Sequence, residues 1–406
     1  MLVQLASVPA FLSVWSLEEY GQWLILTALP TYFALSDIGF LAVTINKMTM
    51  VAAANDKQRV NVLFQTANKL CLLAISIAVF LATLVVVFSK VAPLDILSNK
   101  IVLVVLVISA ALSMSGGLFD AVFRSSGEFA VGAQLMNGAR LMEWLGMLAG
   151  LLLGRTFLSA AVGQLSGRLI ASVIAWKVAT YRHPNVRWGI SMASGNEFRQ
   201  LIKPAISFMA FPVANAISIQ GMTILVGHVF GATFLAVFST YRTISRVLVQ
   251  AVTIIGRSMW PEISVRFGEG DIKAVMSLYR RGTYASVLVA LGLFAFMHFC
   301  GEIILRNWTA GRIPFESGLF YLFLVATTIT SFWQMGMVLL AATNNHVTLS
   351  RSYLVCAIAS VLLAFLLKRI AGEYAPLIGL IAFEVAIVVM CAIHVKAFKV
   401  DVLGTA

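Results

Sequence analysis

The stretch QWLILTALPTYFALSDIGFLAVTIN, residues 22–46, is apolar over a length that determines the fold class. A helix of this length, at about 1.5 Å per residue, crosses the hydrocarbon core of about 30 Å. The stretch carries one charge, Asp37, although a carboxylate in a spanning helix costs about 2.5–3.5 kcal/mol on insertion scales. Such residues usually face a protein interior or a watery cavity. Asp37 is therefore a candidate for coupling or gating, and the alternative is a structural cap hydrogen-bonded near Gly39.

The composition of the whole chain agrees with this interpretation. Of 406 residues, 60% are hydrophobic and 11% are charged, whereas about a quarter of the residues of a soluble protein are charged. The net charge of +12 comes from Lys and Arg scattered among apolar runs, so no nucleic-acid partner is expected. The four cysteines stand singly without a CxxC pattern, which predicts inert thiols and no metal site. We therefore predict a multi-pass membrane protein whose first partner is the lipid bilayer.

Apolar runs separated by polar turns predict about twelve transmembrane helices and an all-α fold. The runs are residues 1–15, 22–46, 63–89, 101–123, 131–153, 158–178, 205–228, 234–258, 283–303, 318–340, 352–370 and 376–395. Loops on alternate sides differ in Lys and Arg content, and the positive-inside rule places both termini in the cytoplasm. The first run covers only about 22 Å as a helix, so we expect either a truncated first span or a half-inserted helix.

Two halves of the chain are related by an internal repeat. A shift of about 215 residues lays NDKQRVNVLFQT, Asn55–Thr66, over GDIKAVMSLYRR, Gly270–Arg281, and the loop lengths agree as well. The repeat preserves direction across the membrane, as in transporters whose halves enclose the substrate path. The longest polar stretch separates the halves. We predict an N-terminal six-helix lobe at 1–180, a cytoplasmic linker at 181–204 and a C-terminal six-helix lobe at 205–406.

The eighth predicted span has a polar face. Its polar residues follow steps of three and four, which confines them to one side of a helix: Ser239, Arg242, Arg246, Gln250, Thr253 and Arg257. Arg257 lies at the end of the span, where a long side chain reaches the membrane surface. Arg242 and Arg246 lie deeper and cannot neutralise each other, so they need a carboxylate or an anionic ligand. Because arginine can bind phosphate through two parallel hydrogen bonds, we expect both to bind a phosphate-bearing substrate.

Other charged residues also lie inside predicted spans. The bases are Lys69, Arg140 and Arg168, and the acids besides Asp37 are Asp120, Glu143 and Glu384. Asp120 is four residues from Arg124 and can pair with it, and Glu143 has a similar spacing from Arg140. The excess of bases predicts a cationic cavity for an anionic substrate. We expect Lys69, Arg140 and Arg168 to line this cavity together with the arginines of the eighth span. The carboxylates are candidates for coupling to H⁺ or Na⁺, although Glu384 is equally suited to a structural hydrogen bond.

The fifth predicted span carries three glycines spaced by four residues, Gly146, Gly150 and Gly154. Because glycine has no side chain, such positions form a face on which a second helix can pack closely. The pattern is common among membrane helices. It therefore predicts helix packing and does not by itself indicate a function.

Sequence motifs of enzymes are missing from the chain. It has no Walker motif, no HExxH or GxSxG pattern, and no aspartate pair of glycosyltransferase type in a soluble loop. We therefore predict no catalytic residues, no cofactor and no enzymatic activity. A membrane-embedded enzyme, such as a polymerase or ligase, is the alternative, and it would need a large periplasmic loop. The outer loops near 90–100 and 304–317 are short.

The residues that carry a family resemblance lie near the N-terminus. VPAFLSVWSLEEYGQWLILTALPTYFALSDIGF, Val8–Phe40, has a P-x-F-L start, a YGxW turn and SDIGF, and it is followed by Asn46 and Lys47 and by Asn55 and Asp56. With twelve spans in a six-plus-six repeat, the chain resembles the polysaccharide transporter family, the Wzx-type O-antigen flippases. That family is part of the multidrug/oligosaccharidyl-lipid/polysaccharide (MOP) superfamily. The motifs are diagnostic at the level of the family only.

The resemblance implies two six-helix lobes around a central cavity, lined chiefly by spans one, two, seven and eight. It also implies alternating access, which flips an undecaprenyl-pyrophosphate-linked oligosaccharide from the cytoplasmic to the periplasmic leaflet of the bacterial inner membrane. Cationic cavity residues would bind the pyrophosphate, and an ion gradient would drive some members. Polysaccharide polymerase and chain-length proteins are implied partners. The alternative within the superfamily is a MATE-like drug or cation antiporter, for which an acid-rich cavity would be expected.

Overall fold

The computed structural model describes residues 2–35, 38–53, 56–88, 100–208, 210–343 and 345–403. All regular structure in these residues is helical. In chain order the helices are α1 (Leu2–Val14), α2 (Leu17–Leu35), α3 (Ile38–Ala53), α4 (Lys57–Phe88), α5 (Lys100–Ser125), α6 (Phe129–Gly154), α7 (Phe157–Arg182), α8 (Gly195–Phe208), α9 (Ala210–Ala216), α10 (Met222–Phe230), α11 (Ala232–Gly268), α12 (Ile272–Trp308), α13 (Ser317–Ala342), α14 (Val347–Ala371) and α15 (Ala375–Leu403). A π-helical segment, Ile217–Gly221, joins α9 to α10.

These helices confirm the predicted all-α membrane fold. Helix covers each of the twelve predicted spans within the described residues, and the second span is covered by α2 and α3 on the two sides of residues 36–37. Among the described residues, seven helical stretches are long and apolar enough to cross a bilayer. α12 begins well before its predicted span at 283–303, because the polar residues that precede the span, such as Lys273 and Arg280, are good helix formers.

The chain divides into two compact units. The first unit is Ser13–Pro212, and the second unit combines Met1–Leu12 with Val213–Ala406. Within the second unit, the indole N–H of Trp308 donates a hydrogen bond of 2.9 Å to the carbonyl of Leu5, which ties α1 to the end of α12. The predicted six-helix lobes have different boundaries from these units and stay a prediction.

The predicted linker, residues 181–204, belongs to the first unit, where it packs on α4. The side-chain oxygens of Asn61 and Gln65, on α4, accept backbone N–H groups of this segment at 2.6 Å and 2.7 Å. The Trp188 ring lies edge-on against Phe64, with 4.9 Å between the ring centres. Helix α8 begins within this stretch, at Gly195, and packs on α3 and α4. Side chains of α4 therefore satisfy part of the backbone of residues 183–194, which have no regular secondary structure, and hold them against the unit.

Helices α6 and α7 form a hairpin whose backbones touch. A Cβ atom placed on Gly150 would collide with the carbonyl oxygen of Ser159, and one placed on Gly146 would collide with that of Gly163. Thr156 caps α7 by accepting the Ser159 N–H at 3.1 Å, so the chain reverses within a short turn. The close packing predicted from the GxxxGxxxG pattern is confirmed, and its partner is α7.

We expect Gly150→Ala to destabilise the first unit, because the added methyl group meets backbone that cannot move aside. Overpacking of this kind costs about 1–3 kcal/mol. Gly138→Ala is the matched control, since a Cβ at Gly138 on the same helix has no atom within 4 Å. That change should stabilise the helix by up to about 1 kcal/mol. Thermal unfolding in detergent measures both variants, and equal melting temperatures would contradict the close packing.

Candidate functional site

Arg242 of α11 is bound by polar groups of the preceding helical segments. Its Nη1 donates to the carbonyl oxygen of Ile219 at 3.1 Å, and its Nη2 donates to Thr223 Oγ1 at 2.9 Å. The guanidinium carbon lies 5.6 Å from the centre of the Phe238 ring, one turn earlier on α11. Arg242 is half-buried. The second unit therefore supplies defined acceptors for this deeply placed charge.

One acceptor for Arg242 comes from the π-helical segment Ile217–Gly221. A π-helix shifts the backbone hydrogen bond by one residue, and such segments are rare and are often found at functional sites. The Ile219 carbonyl also accepts from the Thr223 hydroxyl at 2.8 Å. The Ile219 carbonyl and the Arg242 guanidinium that binds it thus join the π-helical segment to the polar face of α11.

Arg246 lies one turn after Arg242 on α11, and its surroundings differ from those of Arg242. The phenol of Tyr353, on α14, is its electrostatic neighbour, and Tyr353 is also the electrostatic neighbour of Glu384 on α15. Within the described ranges, no hydrogen bond or ion pair joins Arg246 to another residue. Tyr353 is therefore the shared electrostatic neighbour of Arg246 and Glu384 inside the second unit, and we call these three residues the Arg246 cluster.

The carboxylate of Glu384 is oriented by two neutral donors. Trp333 Nε1–H donates to Glu384 Oε2 at 2.7 Å, and the Thr330 hydroxyl donates to the same oxygen at 3.0 Å. The Tyr353 ring packs against Trp333 and Phe383, with ring centres 5.8 Å and 5.0 Å apart. Neutral donors hold the carboxylate in place without cancelling its charge. Such a group can therefore still bind a proton or a small cation.

The sequence identified Arg242, Arg246 and Glu384 but missed the uncharged residues around them. These are Thr223, Thr330, Trp333 and Tyr353. Hydroxyl and aromatic residues are ordinary in membrane helices, so they do not stand out in apolar runs. The sequence does hold one signal of a shared polar contact, because Thr330 and Trp333 are three residues apart and therefore lie on the same face of a helix.

In the first unit, Arg168 is only 4% exposed and binds groups on two neighbouring helices. Its Nη2 donates to the Ser113 carbonyl at 2.6 Å, and its Nη1 lies 3.5 Å from Glu143 Oε2. Glu143 also accepts from Gln164 at 3.1 Å. Although Glu143 and Arg140 have the spacing of helix neighbours, the structure pairs Glu143 with Arg168 on α7. The close packing of α6 against α7 explains this pairing, since it brings Arg168 near the carboxylate of Glu143.

The other predicted site residues lie apart from these groups. Asp120 and Arg124 form the ion pair that their spacing allows, with 2.8 Å between Oδ2 and Nε. Lys69 and Arg140 are exposed on α4 and α6 and make no ion pair among the described residues. Asp37 lies outside the described residues. Within the described ranges, no group of three His, Cys, Asp or Glu side chains could hold a metal ion.

Solved structures with similar folds are membrane transporters. The inward-facing conformation of a multidrug resistance MATE family transporter of the MOP superfamily matches with a TM-score of 0.80 and 14% identity, covering 100% of this chain and 99% of that chain. An outward-facing conformation of such a transporter gives a TM-score of 0.66 and 14% identity, with 100% and 96% covered. The lipid II flippase MurJ, in an inward closed conformation, gives 0.69 and 10%, with 97% and 85% covered. At these identities, the likeness establishes the fold alone.

A family profile identifies the relatives of the chain at the level of sequence. No curated protein sequence matches the chain significantly. A profile described as "Polysaccharide biosynthesis protein" matches residues 14–308, which is more than half of the chain. This match agrees with the resemblance carried by residues 8–40 and with the MOP-type fold. The chain is therefore a multi-pass membrane protein that belongs to the polysaccharide biosynthesis protein family.

Proposed function

We propose that the chain is a flippase for an undecaprenyl-pyrophosphate-linked oligosaccharide, the repeat unit of an O-antigen, capsule or exopolysaccharide. It moves this lipid from the cytoplasmic to the periplasmic leaflet of a bacterial inner membrane by alternating access, with both termini in the cytoplasm. Polysaccharide polymerase and chain-length proteins then act on the delivered unit. Family membership supports a role in polysaccharide biosynthesis. The fold shared with a MATE transporter and with MurJ supports transport, and not catalysis, as that role.

The observation that carries this proposal is the pair of half-buried arginines on α11. Arg242 is bound by Ile219 and Thr223, whereas Arg246 has no hydrogen bond or ion pair among the described residues. A guanidinium in a membrane interior is costly unless an anion compensates it. In the proposed mechanism, Arg246 binds the pyrophosphate through two parallel hydrogen bonds. Arg242 adds a second positive charge one turn away and positions the π-helical segment.

Glu384 is the coupling carboxylate in this proposal. Its donors, Trp333 and Thr330, are neutral, so binding of H⁺ or Na⁺ removes a negative charge that they leave uncompensated. The coupling that we propose is repulsion between that negative charge and an anion bound at Arg246, since Glu384 and Arg246 both lie beside Tyr353. Cation binding at Glu384 therefore favours pyrophosphate binding at Arg246, and the reverse holds by linkage. The other predicted binding and coupling residues stay predictions.

Complementation of flippase-null strains tests this function. Strains that make different repeat units are each given this chain, and surface glycan is measured. We expect surface glycan to return in at least one strain, with less lipid-linked repeat unit retained in the cytoplasmic leaflet. Resistance to cationic drugs without restored glycan would contradict the proposal and favour a MATE-like antiporter. New glycosidic bonds formed by the purified protein would favour a polymerase or ligase.

A further inference from the structure

A cavity of about 190 Å³ opens in the first unit where α4 begins and where α5 and α7 end. Its lining includes Lys57 at the start of α4, Ser126 just past the end of α5, and Arg182 and His183 at the end of α7. At about 30 Å³ per water molecule, this volume holds roughly six waters, which is enough for a phosphate group and its hydration. We call this cavity the basic pocket.

The basic pocket lies where three membrane helices reach one membrane surface. The apolar stretches Lys57–Ile77, Lys100–Ser125 and Phe157–Arg182 are each long enough to cross a bilayer, and each has one end at the pocket. The ends of such stretches lie at the boundary between hydrocarbon and water, which is the level of the lipid phosphates. A ligand in the pocket would therefore be within reach from the membrane surface.

The charge in the basic pocket is positive. Lys57 is exposed and forms no hydrogen bond through its ammonium group and no ion pair with the described residues. Arg182 Nη1 lies 3.1 Å from Glu128 Oε2, and His183 Nε2 lies 3.5 Å from the same oxygen. Glu128 thus offsets one charge and fixes the position of Arg182. Asp56 precedes Lys57, and its Oδ1 accepts the Arg59 N–H in capping α4.

The wall of the basic pocket is held in place without a ligand. The side-chain amide of Asn61 donates to the carbonyl of Lys57 and to the carbonyl of Asn185, each at 3.0 Å. Asn61 Oδ1 accepts the Arg187 N–H at 2.6 Å. These bonds tie the start of α4 to the segment after α7. A pre-formed wall lowers the entropic cost of ligand binding.

We propose that the basic pocket binds a phosphate group, with Lys57 and Arg182 as its cationic ligands. Basic pockets between membrane helices bind the head groups of anionic lipids. The phosphate can come from such a lipid at the membrane surface or from a soluble phosphate. Both sources present the same anionic oxygens to the ammonium and guanidinium groups.

Thermal unfolding of the purified protein in neutral detergent tests this site. The protein is titrated with short-chain phosphatidylglycerol, with phosphatidylcholine, and with inorganic phosphate against chloride of equal ionic strength. We expect phosphatidylglycerol to raise the melting temperature more than phosphatidylcholine does. Lys57→Gln should raise the half-saturating concentration about fivefold, as expected for one basic contact near a membrane surface. An equal shift with inorganic phosphate would assign the site to a soluble phosphate.

Lys177→Gln is the matched control for Lys57→Gln. Lys177 is exposed on α7 and outside the lining of the basic pocket, so the change removes the same charge from the same unit. We expect the titration of this variant to equal that of the unaltered protein. Equal weakening by the two substitutions would overturn the proposal, as would a melting temperature that neither phosphatidylglycerol nor phosphate shifts.

Discussion

Arg246→Ala is expected to reduce surface glycan at least tenfold in a strain whose export depends on this chain. Arg246 is half-buried, and no described residue binds its guanidinium through a hydrogen bond or an ion pair. Its hydrogen-bonding capacity is therefore available to the pyrophosphate. Loss of one partner from a buried, hydrogen-bonded charge pair costs about 2–5 kcal/mol, and each 1.4 kcal/mol is about a factor of ten. Surface glycan per cell, normalised to the amount of protein in the membrane, measures the effect.

Two further substitutions at α11 show whether the position of the charge matters. Arg246→Lys should retain part of the export, because it keeps the positive charge and loses the two-pronged geometry. Arg257→Ala is the matched control, since Arg257 is exposed on the same helix. It should export glycan normally. Equal export by Arg246→Ala and Arg257→Ala would remove Arg246 from the mechanism.

Arg168→Leu is expected to destabilise the protein by about 3–5 kcal/mol, the cost of breaking a buried ion pair by removing one partner. Arg168 is 4% exposed, and its loss leaves Glu143 without its cationic partner and the Ser113 carbonyl without that donor. The result is a large fall in melting temperature and in the amount of protein in the membrane. Thermal unfolding of the purified variant in detergent measures the change.

A second substitution distinguishes a structural from a substrate-binding role for Arg168. Glu143→Leu combined with Arg168→Leu should recover much of the lost stability, because well-packed apolar residues can replace a buried pair at little cost. Arg140→Leu is the control on α6, and its exposed side chain should leave the melting temperature unchanged. A normal melting temperature for Arg168→Leu together with lost export would place Arg168 in the substrate path instead.

The positions of the helices could be predicted from the sequence because a membrane helix depends on local properties. Apolar length alone placed α5, α6, α13 and α14 within a few residues of their observed bounds. The ion pair of Asp120 and Arg124 follows in the same way, since it depends on spacing within one helix. The glycine face of α6 could also be predicted from the sequence, but the helix that packs on it could not.

The contacts between helices could not be predicted in this way. Glu143 pairs with Arg168 because of the distance and rotation between α6 and α7, and neither quantity is encoded in the spacing of one helix. The donors to Glu384 come from α13, more than fifty residues earlier in the chain. The π-helical segment Ile217–Gly221 could not be predicted either, because its sequence ISIQG carries no local signal for the extra residue in the turn.

Flipping by the purified protein in liposomes measures the proposed function directly. The liposomes contain a fluorescent polyprenyl-pyrophosphate-linked oligosaccharide, and external dithionite destroys the label in the outer leaflet. With the unaltered protein, the protected inner-leaflet signal should decay quickly. With Arg246→Ala it should persist, and with Arg257→Ala it should decay as in the unaltered protein. A protected signal that decays no faster with the unaltered protein than in empty liposomes would contradict the assignment of this chain as a flippase of pyrophosphate-linked glycans.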